Sequence, residues 1–315
     1  MAWLQLTRIS NLPSALANIL MGFLLAHGSW QPTWELVCLM LASTGFYLGG
    51  MVLNDVFDID IDREQRPGRP LPSGRIRLDV ARRIGFGLLL FGWLNCLLAG
   101  WLTSGAAVDF RPVGIGGLLA ICVLLYDGPL KRSWVAPMLM GACRTLNVLL
   151  GASTVVLAAG EAQPWNLGMP AICWWIACSV GVLVAGATLL GRKEAVARQS
   201  RAPLVLATFL VGLGIAGIAA VVTCPVQPAL SEQASNRFPL FIALIGLVIM
   251  RRVVTAAWLA KPKAIQMGVV SVLRSLIVLD ASVCYLVAPE QPWFAFVVLA
   301  LLIPSLLLGR AIRQT

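Results

Sequence analysis

The chain has 315 residues, 59% of them hydrophobic and 12% charged, with a net charge of +10 and a mean hydropathy of +0.85. A soluble domain carries about a quarter charged residues, so the composition excludes a soluble enzyme and makes the chain one helical membrane domain. The positive charge gathers in short loops on one side of the apolar runs, the pattern of a membrane protein facing anionic lipid headgroups. No nucleic-acid partner is expected.

Apolar runs long enough to cross about 30 Å of hydrocarbon fall near 10–28, 34–54, 84–104, 113–127, 134–158, 168–190, 203–223, 238–260, 269–288 and 292–309. The predicted fold class is all-α, a polytopic transmembrane bundle of nine or ten helices. Met1 to Thr7 carries no basic n-region and no cleavage site follows, so the first run is expected to remain as a span. Gln31-Pro32, Gln163-Pro164, Cys224-Pro225 and Glu290-Gln291-Pro292 punctuate the turns. With the N-terminus inside, the inner loops collect Arg63, Arg66, Arg69, Arg75, Arg77, Arg82 and Arg83, then Lys131 and Arg132. They also collect Arg192, Lys193, Arg198 and Arg201, then Lys261 and Lys263, then Arg310 and Arg313. The outer loops hold only Arg111 and Arg237 among acids. Deleting a span after residue 200 would put a basic segment outside, which favours an even count.

Seven cysteines, Cys38, Cys96, Cys122, Cys143, Cys173, Cys178 and Cys284, sit inside apolar runs, where a thiol acts as a small hydrophobe. There is no C-x-x-C pair, and His27 has no metal ligand beside it, so neither a zinc site nor a disulfide framework is expected. Arg251, Arg252 and Arg274 fall within apolar runs and are read as snorkelling to the inner surface. Asp280 lies deeper and is expected to pair with an arginine from another helix.

The longest polar stretch, 55–83, follows the second span and opens on Asn54-Asp55-Val56-Phe57-Asp58-Ile59-Asp60-Ile61-Asp62. If the helix continues, Asp55, Asp58 and Asp62 stand at i, i+3 and i+7 beside Asn54, within an arc of roughly 100°, and Asp60 points away. Carboxylates are disfavoured at a helix C-terminus, and stacking three adds repulsion. A cation is therefore expected there, and Mg²⁺ suits hard oxygen donors shared with substrate phosphates. The stretch Arg63 to Arg75 contains Pro67, Gly68, Pro70, Pro72 and Gly74, which forbid a helix and fold a compact loop over the acids. Its arginines are candidates to grip phosphate oxygens.

Asn54, Asp55, Asp58 and Asp62, followed by Arg66-Pro67-Gly68-Arg69-Pro70-Leu71-Pro72-Ser73-Gly74, resemble the motif of the UbiA superfamily of intramembrane prenyltransferases. Tyr126-Asp127-Gly128-Pro129-Leu130-Lys131 is similar to a second element of that family. The resemblance implies one domain over 1–315, a bundle around a central cavity open to the cytoplasmic side, and Mg²⁺ held by Asn54, Asp55, Asp58 and Asp62. It implies catalytic roles for Asp55, Asp58 and Lys131. Substrate contacts are expected from Asn54, Arg66, Arg69 and Tyr126, and from Arg144 and Asn147, which share a face of the fifth span.

The family's second acidic motif has no aspartate here. The corresponding stretch 186–195 offers only Glu194, with Arg192 and Lys193 as candidates to neutralise phosphate directly. This departure resembles an EboC-type, UbiA-like branch. The implied reaction is Mg²⁺-dependent transfer of a polyprenyl group from a prenyl diphosphate to a small-molecule or lipid acceptor, in a bacterial plasma membrane with the acidic loop cytoplasmic. Two alternatives stay open: phosphoribosyl-type transfer to a polyprenyl phosphate, and a non-catalytic isoprenoid- or lipid-binding protein.

Overall fold

The computed structural model describes residues 2–104, 108–156, 167–192, 201–223 and 232–311, without the side chains of 232–235. The order is α1 (Ala2–Leu6), a 3-10 turn (Ile9–Asn11), α2 (Leu12–His27), α3 (Thr33–Phe57), α4 (Ile59–Gln65), α5 (Leu78–Ser104) and α6 (Phe110–Asp127). Then come α7 (Ala136–Ala152), α8 (Ala171–Gly191), α9 (Ala202–Ala219), α10 (Glu232–Leu259), α11 (Pro262–Val287), α12 (Trp293–Ala300) and α13 (Leu302–Ala311). Among the described residues, nine helical stretches are long and apolar enough to cross a membrane. The 17-residue α7, about 25 Å long at 1.5 Å per residue, completes the ten predicted runs.

Large apolar side chains cover the outside, including Trp34, Phe110, Trp134, Phe209, Leu247, Trp258 and Phe296. A belt this extensive is untenable in water and is the lipid-facing surface of a multi-pass integral membrane protein. Most of the interior is one contiguous cluster drawing on α2, α3 and α5 through α12.

The site depends on where α3 ends, and α3 is placed by α5. Gly45 and Gly49 stand one turn apart on α3 and meet the α5 backbone. A Cβ at Gly45 would lie 2.7 Å from the Leu88 carbonyl oxygen and 2.9 Å from the Gly92 Cα. One at Gly49 would lie 3.0 Å from the Gly85 oxygen. This small-xxx-small pattern lets two membrane helices approach on their backbones, where no hydrophobic force separates protein from lipid.

Four expectations need correcting. The second span does not stay helical through the acidic stripe. It stops at Phe57, Asp58 turns the chain at φ −88° and ψ 5°, and α4 begins at Ile59. The turn lets Ile59 drop into a small second core with Leu6, Val52, Val56, Leu71, Ile76 and Ala81. The bonds Asp58 N–H to Asn54 O (3.1 Å) and Asp62 N–H to Asp58 O (2.9 Å) bridge the step, so the acids keep a common side. The third helix of the membrane set begins at Leu78 rather than near 84, because its polar first turn projects beyond the apolar run. The last predicted span is two helices broken at Leu301.

Asp280 is the fourth correction. Its hydrogen bond comes from Asn18 Nδ2 (2.8 Å), not from an arginine, and Oδ1 is buried without a partner among the described residues. The arginine stands one step further on: Arg144 donates to Asn18 Oδ1 and Ser14 Oγ, both at 3.1 Å. Three helices are thereby joined through one buried polar relay. Arg144→Met is expected to lower the melting temperature in detergent, since it strands Asn18 and a buried carboxylate at about 1–3 kcal/mol. Asp280→Asn in that background is expected to recover part of the loss, which a double-mutant cycle would read.

Candidate functional site

At the α3–α4 step every acid of the stripe has found a cation, each from a different part of the chain. Arg8, just ahead of the 3-10 turn, places Nη2 2.9 Å from Asp55 Oδ1. Arg69, in the loop after α4, reaches Asp62 Oδ2 at 2.6 Å and Asp55 Oδ1 at 3.6 Å. Lys131, in the α6–α7 turn, donates to Asn54 Oδ1 at 2.6 Å and makes a short contact with Asp58 Oδ2. Asn54 Nδ2 completes the mesh at 3.2 Å from Asp55 Oδ1. The side chains of Asp55 and Asp62 are 7% exposed and that of Asp58 is 20% exposed, so Asp58 is the carboxylate most open to a ligand. Asp60 is solvated at 89% exposure and pairs with Arg63.

The loop over the acids is folded by its own bonds and anchored below. Ser73 N–H donates to Arg69 O, Gly74 N–H to Leu71 O and Ile76 N–H to Pro70 O, while Arg75 Nη2 caps Gly68 O at 2.7 Å. Leu71 and Ile76 plug into the small core. That anchoring points Arg69 inward; Arg66 stays exposed.

Arg8 was not among the residues singled out from sequence, where a lone arginine before the first span is ordinary topology. It adopts a left-handed conformation, φ 44° and ψ 45°, uncommon and strained for a side chain this bulky. The Tyr47 hydroxyl donates to its carbonyl at 3.0 Å, and Asp55 holds its guanidinium. Strain held in place by two α3 groups marks Arg8 as part of the constellation. Asp127 was also passed over. It closes α6, is buried, and has Lys131, Arg8, Asp58 and Asp55 as electrostatic neighbours.

Tyr126 lies beside the constellation, with Asp127 and Arg8 among its electrostatic neighbours, whereas Arg144 and Asn147 serve the helix packing. Tyr126 is half-buried beside Asp127. Asn147 accepts from Ser43 Oγ at 2.7 Å and donates to Ala15 O at 2.8 Å, so Asn147, like Arg144, is engaged in joining helices. Arg192 braces the turn that carries Lys131 through Ser133 O (2.6 Å) and Arg132 O (2.9 Å). Its guanidinium is bonded to these two carbonyls. Lys193 and Glu194 lie outside the described residues.

The donor set was tested against Mg²⁺. Among the described residues no three acidic, histidine or cysteine side chains form a preformed cage. The available donors are hard carboxylate and amide oxygens, and their negative charge is already met by Arg8, Arg69 and Lys131. Mg²⁺ commonly takes one or two carboxylates and fills its shell with water and substrate phosphate. The residues fit the ion in that shared form.

Residues 15–264 match the model of the UbiA prenyltransferase family, and the chain belongs to that family. Over 107 residues it is 35% identical to the digeranylgeranylglyceryl phosphate synthase of Sulfolobus acidocaldarius, covering 34% of this chain and 38% of that protein. The protein of the same name from Ignicoccus hospitalis is 26% identical over 291 residues, 80% of this chain and 92% of that one. The first relatives are thus spanned over only 33% to 47% of their length. The fold is shared with a UbiA homolog from Archaeoglobus fulgidus bound to DMAPP and Mg²⁺. The TM-score is 0.57 at 14% identity, covering 95% of this chain and 99% of that one.

Proposed function

We propose that the chain, as one domain over residues 1–315, is a Mg²⁺-dependent intramembrane prenyltransferase that moves a polyprenyl group from its diphosphate to a small-molecule or lipid acceptor. The observation that carries this is the interleaving of acids and bases at one end of an apolar bundle. Asp55, Asp58 and Asp62 alternate with Arg8, Arg69 and Lys131, a surface matched to a metal and to a diphosphate together. The fold shared with a homolog bound to DMAPP and Mg²⁺ supports the same reading. The relatives named digeranylgeranylglyceryl phosphate synthase support including glyceryl phosphate lipids among the acceptors tested.

Asn54, Asp55, Asp58 and Asp62 would hold the metal, which when bound supplies Lewis-acid neutralisation of the diphosphate oxygens. Lys131, released from Asn54 and Asp58, turns its ammonium to the phosphate side, and Arg8 and Arg69 keep their positive potential beside it. Arg66, exposed at the loop edge, is placed to meet an outer phosphate oxygen. The apolar helices keep water away from the allylic cation left as the diphosphate departs. Arg63, Arg66, Arg69, Arg75, Arg77, Arg82 and Arg83 cluster at this end, which supports a cytoplasmic site and N-terminus. The bacterial plasma membrane belongs to this reading through the EboC-type resemblance.

The test is binding and turnover of labelled prenyl diphosphates of several lengths by the purified chain, with and without Mg²⁺. Binding is expected to require Mg²⁺ and to be lost in Asp55→Ala and Asp58→Ala. Mg²⁺-independent binding, or binding unchanged in both variants, rejects the site. Binding without turnover across acceptors favours a lipid-binding protein.

A further inference from the structure

Asp127 is the last residue of α6 and only 4% exposed, yet its carboxylate accepts no hydrogen bond from any described residue. Enclosure this close is costly for a carboxylate without a protein partner, and its oxygens keep only a small opening. Its position adds to the cost, because the end of a helix carries partial negative charge. The side chain is directed at α3 across Gly50: a Cβ built there would lie 3.7 Å from Asp127 Oδ2. Gly50 is one turn before Asn54 on the same face, so the carboxylate looks onto the stripe from beneath. Its electrostatic neighbours are Lys131 and Arg8 on one side of the balance and Asp58 and Asp55 on the other.

Charge at this end of the bundle is therefore uneven. Arg8, Arg69 and Lys131 are each drawn to Asp55, Asp58 or Asp62. Asp127 is a fourth carboxylate with no ion pair of its own among the described residues. A divalent cation introduced between α3 and the α6 end would relieve that excess. The missing side chain at Gly50 lets α6 pack closely on α3, where an added Cβ would meet Val123 Cγ1 at 2.9 Å, and brings the Asp127 carboxylate to the face that carries Asn54.

We propose that Asp127 is a further carboxylate arm of the metal–diphosphate site, approaching from α6 opposite Asn54, Asp55 and Asp58; this rests on the function proposed above. Asp127 would lend its carboxylate to holding the metal, from the end of α6 and beside the α3 donors. The acidic complement of the stripe is thereby local, on the same turn as Lys131, and independent of the segment 186–195.

The experiment uses the full chain in detergent with an unreactive prenyl thiolodiphosphate, and follows Mn²⁺ binding by EPR alongside the melting temperature. Asp127→Asn is expected to weaken Mn²⁺ binding about 10- to 100-fold without lowering the melting temperature. Asp127→Glu is expected to recover part of that affinity, as a longer carboxylate still offers the donor. Asp127→Ser carries the same expectation as the asparagine variant, so a folding failure of one leaves the other to decide. Unchanged Mn²⁺ affinity in folded Asp127→Asn or Asp127→Ser overturns the inference and leaves the prenyltransferase reading standing. Failure of the unaltered chain to bind Mn²⁺ with the analogue overturns that reading itself.

Discussion

Lys131→Met is expected to slow prenyl transfer about 100- to 1,000-fold, the loss typical of removing one preorganised electrostatic contact to a developing charge, while Mn²⁺ binding without substrate holds or tightens. The opposite signs follow from what Lys131 touches. Before substrate arrives its ammonium is bonded to Asn54 Oδ1 and Asp58 Oδ2, two of the atoms a metal would take. Removing the ammonium frees those oxygens, so the metal meets less competition. The departing diphosphate loses the cation that would have met it. A purely structural lysine would show a different pattern, with metal affinity and rate falling together as Asn54 and Asp58 lost their geometry. Steady-state rates and Mn²⁺ titration on the same preparation separate the two outcomes.

Gly45→Val is the second large effect, and it acts on the scaffold. All three nearest neighbours of the added Cβ are backbone atoms of α5, at 2.7 to 2.9 Å, so no side chain can turn away to make room. The helices must separate, at a cost of about 3 kcal/mol or more, and α3 carries Asn54, Asp55 and Asp58 with it. The expected result is a large drop in melting temperature together with loss of Mg²⁺-dependent prenyl-diphosphate binding. Gly87→Ala on α5 is the control, because a Cβ there meets nothing within 4 Å. It is expected to be neutral or stabilising by about 0.5–1 kcal/mol. Equal behaviour of the two variants would show that the α3–α5 approach does not position the site.

Much of this was legible from sequence. Apolar runs pointed to nine or ten helices, of which nine among the described residues are long and apolar enough to cross a membrane, since length is what a bilayer selects. The spacing of Asn54, Asp55, Asp58 and Asp62 on a common side was readable because helix geometry converts spacing into direction. Arg8 was not readable. Forty-seven positions separate it from Asp55, and nothing in its neighbours marks a backbone strained to φ 44°. Asp127 lay in plain view between Tyr126 and Gly128, but its burial against Gly50 is a tertiary fact. Asp280 does have an arginine from another helix, Arg144, as its charged neighbour, but the direct bond comes from Asn18, and an asparagine within an apolar run carries no charge to advertise it. The Gly45–Gly49 spacing is visible in the sequence, but its meaning depends on which helix lies opposite.

The final helix, α13, packs against the 3-10 turn that follows Arg8, and a Cβ at Gly309 would stand 4.0 Å from the Ser10 Cβ. The first segment thus meets the last in this contact, one residue from Arg8 and one side chain further from Asp55. Chemistry encoded near residue 55 therefore inherits its alignment from sequence beyond residue 300. During synthesis, Arg8 gains that support only after almost the whole chain has entered the membrane.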